Sequence, residues 1–218
     1  MTKAAFLKKL DAIKDIRDYP DAKLLKSGFT KRALRWEFKD FDKPNNEFYD
    51  IIYNYITEYK PEGKGLYLYS KNPGIGKTVV ATAVSRVLIN KGIINTGMKL
   101  IKYAQFIDEA REGNIGWTKF IYLLKIADLI ILDDIGAEFP PTESTSSKLY
   151  QILDMRLDNE KQLMMTSNYS PEDLINRLVG EDVLKNRIRS RLDALCFPVN
   201  LDKFFDKSDG RVISIAAK

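Results

Sequence analysis

Histidine is absent from this chain of 218 residues, and cysteine occurs once, at Cys196. Without histidine there is no Ser-His-Asp triad and no imidazole-bound zinc. With one cysteine there is no internal disulfide and no multi-cysteine metal site. No apolar run approaches the length that spans a bilayer, and the N-terminus lacks the apolar core of a signal peptide. The expectation is therefore a cytoplasmic protein with no membrane segment. Internal repeats and low-complexity tracts are also missing. At this length the chain can bury one substantial core plus a short extra segment, and its 44% hydrophobic and 30% charged fractions are those of a globular protein.

Excess charge is scarce as well, and it is unevenly placed. The formal net charge is +5. Residues 1–40 hold 11 Lys/Arg against 6 Asp/Glu, so that segment alone accounts for the whole excess. A basic N-terminal arm fits contact with nucleic acid or with an acidic partner surface, and equally a solvated polar segment.

What is present is concentrated in Ser70-Lys71-Asn72-Pro73-Gly74-Ile75-Gly76-Lys77-Thr78. An extended apolar segment precedes it and an amphipathic helix follows, the setting of a phosphate-binding loop. Small residues let backbone N–H groups turn inward around polyphosphate oxygens. The helix offers its positive end, the lysine reaches the terminal phosphates, and the threonine hydroxyl ligates magnesium. Asn72, Pro73, Gly74, Ile75, Gly76, Lys77, Thr78 and Val79 are the expected nucleotide-binding residues. One position departs from the pattern, since Lys71 stands where the first glycine usually does. Given the exclusions above, a magnesium-nucleotide site is the strong catalytic option that remains.

Around the loop, strand and helix patterns alternate. Helices are expected over 1–20 (Phe6, Leu10, Ile13 and Ile16 on one face, Pro20 as the stop), 46–59, 77–90, 103–111, 118–126, 143–158, from Ser170-Pro171-Glu172-Asp173 onward, and over 182–194. Strands are expected over 65–70, 98–102, 129–132 and 162–167, with short extended pieces at 195–201 and 211–215, and residues 27–47 read as irregular. The run Leu129-Ile130-Ile131-Leu132 is that of a strand buried on both faces. The pattern calls for a three-layer α/β fold with a mainly parallel sheet.

Three further motifs follow in order. Asp133 and Asp134 sit at the tip of the buried strand. Asp133 is placed to hold magnesium opposite Thr78, and Asp134 to orient or deprotonate the attacking water. Asn168, in Thr166-Ser167-Asn168, can sense a terminal phosphate or share that water, or simply form a turn. Arg187 and Arg191, four apart in Asn186-Arg187-Ile188-Arg189-Ser190-Arg191-Leu192, share a helix face. Either is a candidate arginine finger for a neighbouring subunit's site, and a solvated basic helix is the plain alternative. Arg211, in Asp209-Gly210-Arg211, is a weaker candidate to report on bound nucleotide.

Taken in sequence, Pro-Gly-Ile-Gly-Lys-Thr, Leu-Asp-Asp-Ile-Gly-Ala-Glu, Thr-Ser-Asn and Arg-Ile-Arg-Ser-Arg-Leu resemble the AAA+ ATPases of the DnaC/DnaI helicase-loader group. The transposition ATPases of the IstB type share much of this pattern. The resemblance covers residues from about 30 to 215, and Asp133-Asp134-Ile135-Gly136-Ala137-Glu138 is its most specific piece. It implies a P-loop NTPase fold of the AAA+ type, with Lys77 and Thr78 as the Walker A pair and Asp133 and Asp134 as the Walker B pair. It further implies Asn168 as sensor 1, Arg187 or Arg191 as finger, and Arg211 as sensor 2. The implied cofactors are ATP and Mg2+. The implied partners are a hexameric DnaB-type replicative helicase, single-stranded DNA and further copies of the chain in a ring or helix. Asp134 replaces the glutamate of many AAA+ proteins and is one methylene shorter, which implies slow hydrolysis stimulated by DNA or a partner.

The expectation is that the cysteine-rich N-terminal domain of DnaI-type loaders is lacking. The expected division is an N-terminal extension, 1–45, contacting helicase or DNA, and an ATPase domain, 46–218. The Phe6/Leu10/Ile13/Ile16 face is either the helicase-docking element or a face packed on the ATPase core. Aromatic and basic residues of 27–41 either stack and pair with single strands or supply core and surface. The competing readings are an IstB-like or DnaA-like ATPase acting on duplex DNA, a small-molecule kinase, and an ATP-bound scaffold that barely hydrolyses. Late-placed arginines after a sensor-like Asn count against the kinase.

Overall fold

The structure is a computed structural model. It describes all residues except 14–20, 42–43, 61, 95–96, 112–115, 138–140 and 206–218, together with the side chains of 21–23, 110 and 111. The elements run α1 (Lys3–Ala12), α2 (Asp21–Lys26), α3 (Lys31–Leu34), α4 (Asn46–Thr57), β1 (Gly65–Tyr69), α5 (Lys77–Asn90), β2 (Met98–Lys102), α6 (Tyr103–Arg111), α7 (Gly116–Ile126), β3 (Leu129–Ile135), α8 (Glu143–Asp158), β4 (Gln162–Ser167), α9 (Pro171–Arg177), α10 (Asp182–Leu195) and β5 (Cys196–Asn200). Short 3-10 turns lie at Phe38–Asp40 and Leu201–Lys203.

Among the described residues five strands form one sheet in the order β2-β3-β4-β1-β5, and every pairing is parallel; the extended piece expected at 211–215 lies outside the described residues. Parallel strands need crossovers, and the crossovers lay helices on both faces. Alternation along each strand then divides the core in two. Leu66, Leu68, Leu129, Ile131 and Met164 pack with α1, α4 and α5, whereas Tyr67, Ile130, Leu132, Leu163 and Met165 pack with α7, α8 and α10. Leu129 to Leu132 have no solvent exposure, as the unbroken apolar run requires.

The helices begin where the sequence provides caps. Thr2, Asn45, Thr142 and Ser170 each accept a hydrogen bond from the backbone N–H three residues on, and Pro171 opens α9. The first helix is shorter than its periodicity suggests. It ends at Ala12, where Ile13 turns extended. Ile16 and Pro20 lie outside the described residues. Phe6 and Leu10 are buried, and Phe6 meets Phe38 edge-on at 5.1 Å and Tyr49 at 5.0 Å between ring centroids. Phe29, Leu34, Phe38 and Phe41 are buried in the same core, so of the two readings of these aromatics the structure supplies packing. Residues 27–41 also contain two short helical turns where the sequence reads as irregular.

This N-terminal segment covers a sheet edge. The Leu100 N–H donates to the Ser27 carbonyl at 2.8 Å, and Lys99 Nζ donates to the Lys26 carbonyl at 2.8 Å, which satisfies part of the open side of β2. At the opposite end of the sheet from the phosphate loop, Arg156 is fully buried. Its Nη1 donates to the carbonyls of Leu124 (2.6 Å) and Ala127 (2.8 Å), and its Nη2 to those of Asp128 (3.2 Å) and Gln162. It clasps the last turn of α7 and the two residues that lead into β3 to the first residue of β4. Burial lowers its pKa to about 10, so the guanidinium stays charged at neutral pH.

Candidate active site

Parallel order brings the carboxyl ends of β1, β3 and β4 side by side, and the candidate residues lie on the loops that leave them. After β1 the chain turns through Gly74 (φ +80) and Gly76 (φ +110) before α5 begins at Lys77. Those left-handed angles explain why glycine is used there. Lys71 is not among the positive-φ residues, so the absence of glycine costs that corner nothing in backbone strain. Its N–H donates to Asp202 at 3.0 Å, and its ammonium lies 3.6 Å from the exposed Asp173.

Asp202 follows β5 and was not evident in the sequence. It accepts from Ser70 Oγ (2.6 Å), the Lys71 N–H and Asn72 Nδ2 (2.7 Å), and so clamps the start of the loop. Partial burial would raise its pKa. The hydrogen bonds from Ser70, Lys71 and Asn72, with Lys77 nearby, outweigh that and hold the carboxyl below its ordinary value.

The motif residues converge. Thr78 Oγ1 donates to Asp133 Oδ1 at 2.7 Å, and Thr166 Oγ1 donates to the same oxygen at 2.8 Å. The Asp134 N–H donates back to Thr166 Oγ1 at 2.8 Å. Lys77 Nζ donates to Asn168 Oδ1 at 2.6 Å, and Asn168 Nδ2 donates to Asp134 Oδ1 at 3.2 Å. Lys77 and Asp133 are buried. Desolvation lowers the Lys77 pKa, against the pull of Asp134, Asp202 and Asp133. Desolvation and then the neighbouring Asp133 raise that of Asp134, only partly opposed by Lys77 and Lys102. Asp134 also carries φ +62, an unusual angle for a non-glycine residue.

These groups face a cleft of about 790 Å³. Its far end is walled by Thr30, Arg32 and Ala33 of the N-terminal segment and by Val79, and its side by Lys102 and Gln105. Sequence reasoning missed these walls, because no motif links residue 30 to residue 77. The only hint was the basic composition around Arg32.

The late arginines diverge. Arg191 Nε donates to Asp154 Oδ1 on α8 at 2.8 Å, whereas Arg187 is exposed and has no hydrogen bond or ion pair among the described residues. Neither meets the cleft of its own chain. Arg211 lies outside the described residues.

Comparison with known proteins agrees with this arrangement. Residues 34–195 match the sequence profile of the family described as the bacterial DnaA ATPase domain. The chain belongs to this family of AAA+ ATPase domains. Within it the chain goes with the DnaC/DnaI group. It is 28% identical over 193 residues to the replicative helicase loader DnaI of Bacillus subtilis (strain 168), covering 82% of this chain and 61% of that protein. It is 27% identical over 152 residues to the replicative helicase loader DnaC of Escherichia coli (strain K12), covering 66% of this chain and 58% of that one. The AAA+ chain thus spans about three fifths of the length of both relatives. Among solved structures, a DnaI crystal structure superposes with a TM-score of 0.66 at 23% identity, covering 78% of this chain and 93% of that one. The structure of a protein described as a putative primosome component, from Streptococcus pyogenes serotype M3, gives 0.65 at 26%, covering 79% and 89%. The three-layer AAA+ fold expected from the motif order is the fold observed.

Proposed function

We propose that this chain is an ATP-hydrolysing helicase loader, which uses nucleotide binding to assemble on single-stranded DNA and on a DnaB-type replicative helicase, and hydrolysis to let go. One observation carries the reading: the Lys77–Asn168–Asp134 and Thr78–Asp133–Thr166 networks meet at one cleft in a chain whose relatives include the replicative helicase loaders DnaI and DnaC. The place of action is the cytoplasm, and no described helix is long and apolar enough to cross a membrane.

The residues divide the work as follows. Backbone N–H groups from Asn72 to Val79 cradle the phosphates, and Lys77 exchanges its Asn168 partner for phosphate oxygens. Thr78 and Asp133 fit a magnesium ion. Both present hard oxygen donors, and the hydroxyl and carboxylate already lie 2.7 Å apart. Thr78 and Asp133 are the residues that would hold the ion, and among the described residues no group of three or more Asp, Glu, His or Cys could hold a metal. When bound, the ion neutralises charge on the terminal phosphates. Asp134 accepts the proton of the attacking water, and Asn168 holds that water and reads the terminal phosphate. Arg187 is the finger offered to a neighbouring copy, since Arg191 is engaged with Asp154. The nucleoside lies along Thr30, Ala33 and Val79. Turnover is slow until DNA or helicase contact repositions the short Asp134 carboxylate. Segment 1–45 serves as the contacting extension through its exposed basic side chains, Lys31, Arg32 and Arg35 among them, because its apolar face is spent on the core.

The decisive experiment mixes the purified protein with its host's replicative helicase, with ATP and with ADP, and weighs the products by native mass measurement. A nucleotide-dependent complex is expected. Failure to form one under any nucleotide condition sinks the loader reading, and a complex with a transposase instead selects the IstB-like alternative. Full binding with no turnover, with or without single-stranded DNA, selects the scaffold. For the finger, Arg187→Ala mixed with Lys77→Ala should recover part of the turnover that each lacks alone, because one contributes intact loops and the other intact arginines.

A further inference from the structure

Two motifs that stand 33 residues apart in the chain interlock residue by residue. Thr166 touches both carboxylate residues, donating to Asp133 Oδ1 and accepting from the Asp134 N–H. Ser167 Oγ donates to the Ile135 carbonyl at 2.7 Å and accepts from the Tyr169 N–H at 3.1 Å. Asn168 donates to Asp134. Tyr169 lies over Gly136. A Cβ at residue 136 would sit 2.8 Å from Tyr169 Cδ2 and 3.0 Å from its Cε2, and Gly136 has φ +88. The ring is capped from outside by Arg177, whose Cζ lies 4.3 Å from the ring centroid, and the Tyr169 carbonyl accepts from Tyr67 OH at 3.0 Å. Asn168 is therefore flanked by Ser167, tied to the Ile135 carbonyl, and by Tyr169, held on its ring, its N–H and its carbonyl.

We propose that Tyr169 is a positioning residue: its ring, seated in the space left by the missing side chain of Gly136, fixes the Asn168 amide between Lys77 and Asp134. The glycine that closes Asp-Asp-Ile-Gly is then required by the sensor strand as well as by its own turn. Without the ring, residue 169 keeps its two backbone hydrogen bonds and loses the contact that seats it against Gly136 and under Arg177. The Asn168 amide is then free to leave the 2.6 Å contact with Lys77 and the 3.2 Å contact with Asp134. Displacement of that size matters more to a reacting geometry than to fold stability.

The proposal rests on the assignment of Asn168 to turnover given above, and the test separates the two. ATP turnover is measured for wild type, Tyr169→Phe, Tyr169→Ala, Asn168→Ala and the Asn168→Ala/Tyr169→Ala double variant, with thermal melts for each. In parallel, the Asn168 side-chain amide is followed by NMR in the nucleotide-free protein. Tyr169→Phe should match wild type. Tyr169→Ala should lower kcat about tenfold with KM within about twofold, and should add less than about twofold in the Asn168→Ala background. Its Asn168 amide signal should shift or broaden. Equal losses in both backgrounds, an unchanged kcat, or an unmoved amide signal would each overturn the proposal. If the wild type itself does not hydrolyse ATP, the assignment of Asn168 to turnover fails, while the amide signal still decides the role of Tyr169. Should Tyr169→Ala not fold, Tyr169→Leu keeps apolar volume but removes the planar surface under Arg177, and it takes the same test.

Discussion

Strands β3 and β4 carry, one at each of their ends, two polar networks that obey different rules. At the start of β3 and β4, Arg156 gives its Nη1 and Nη2 donors to the carbonyls of Leu124, Ala127, Asp128 and Gln162. Those acceptors are backbone, and nothing the protein binds can replace them. At the other end, Lys77, Thr78, Asp133, Asp134, Thr166 and Asn168 hold one another, mostly through side chains, around an open cleft. There each partner is exchangeable for a phosphate oxygen, a cation or a water. Fixed partners make a stabilising network, and exchangeable ones store charge for a ligand at some expense to stability.

The largest expected effect tests that contrast at Lys77. Lys77→Ala removes a buried ammonium whose desolvation Asp134, Asp202 and Asp133 only partly offset. ATP turnover should fall at least about 100-fold while the melting temperature holds or rises. A melt several degrees lower would place Lys77 with Arg156 as structural. Arg156→Met is the reciprocal case. With the guanidinium's hydrogen bonds to the Leu124, Ala127, Asp128 and Gln162 carbonyls lost, urea denaturation should show a loss of about 3 kcal/mol, with ATP affinity of the folded protein unchanged. A variant that binds nucleotide poorly though fully folded would erase the distinction.

Asp202 sharpens the comparison because it belongs to both kinds: its donors are partly backbone, yet they form the phosphate loop. Asp202→Asn should weaken ATP binding about three- to tenfold by calorimetry, as the start of the loop loosens. The same variant has a pH signature. The Asp202 carboxyl titrates lower in the fold than its ordinary value of 3.8. Its stabilising contribution is thus present above that value and is lost as pH falls through the folded one. Stability measured below pH 3.8 should decline less steeply in Asp202→Asn than in wild type. The smallest effect is expected at Lys71. Lys71→Gly gives up only an exposed pairing with Asp173 at 3.6 Å, and stability should change by less than about 0.5 kcal/mol with turnover within about twofold.

Much of this site was legible because its parts are short motifs at the ends of strong patterns. A glycine-rich turn after an apolar strand, two acids after Leu129–Leu132 and an asparagine after another apolar strand each announce their own position. The parts that stayed hidden are those whose partners are distant in the chain. Asp202 follows β5 in a stretch with no motif, and it finds the loop only because β5 lies beside β1 in the sheet. Thr30, Arg32 and Ala33 reach the cleft because residues 27–34 run along the edge of β2 and against α5. Arg187 and Arg191 look equivalent at four-residue spacing, and only the packing of α10 on α8 gives Arg191 a carboxylate. The first helix shows the same limit: its apolar spacing was readable, but whether a partner or the core covers that face was not.

By itself, then, the sequence determined the local geometry and the candidate chemistry: where the phosphate loop turns, which strands are buried on both faces, and which side chains are candidates to hold a nucleotide and a divalent ion. Those properties depend on neighbouring residues and on period. The tertiary structure alone decided which of those side chains meet. It set Thr166 against Asp133, Asn168 between Lys77 and Asp134, Tyr169 over Gly136, and Asp202 beneath the loop. Such contacts depend on strand order and register, which arise when the whole sheet closes and which no local stretch of chain contains.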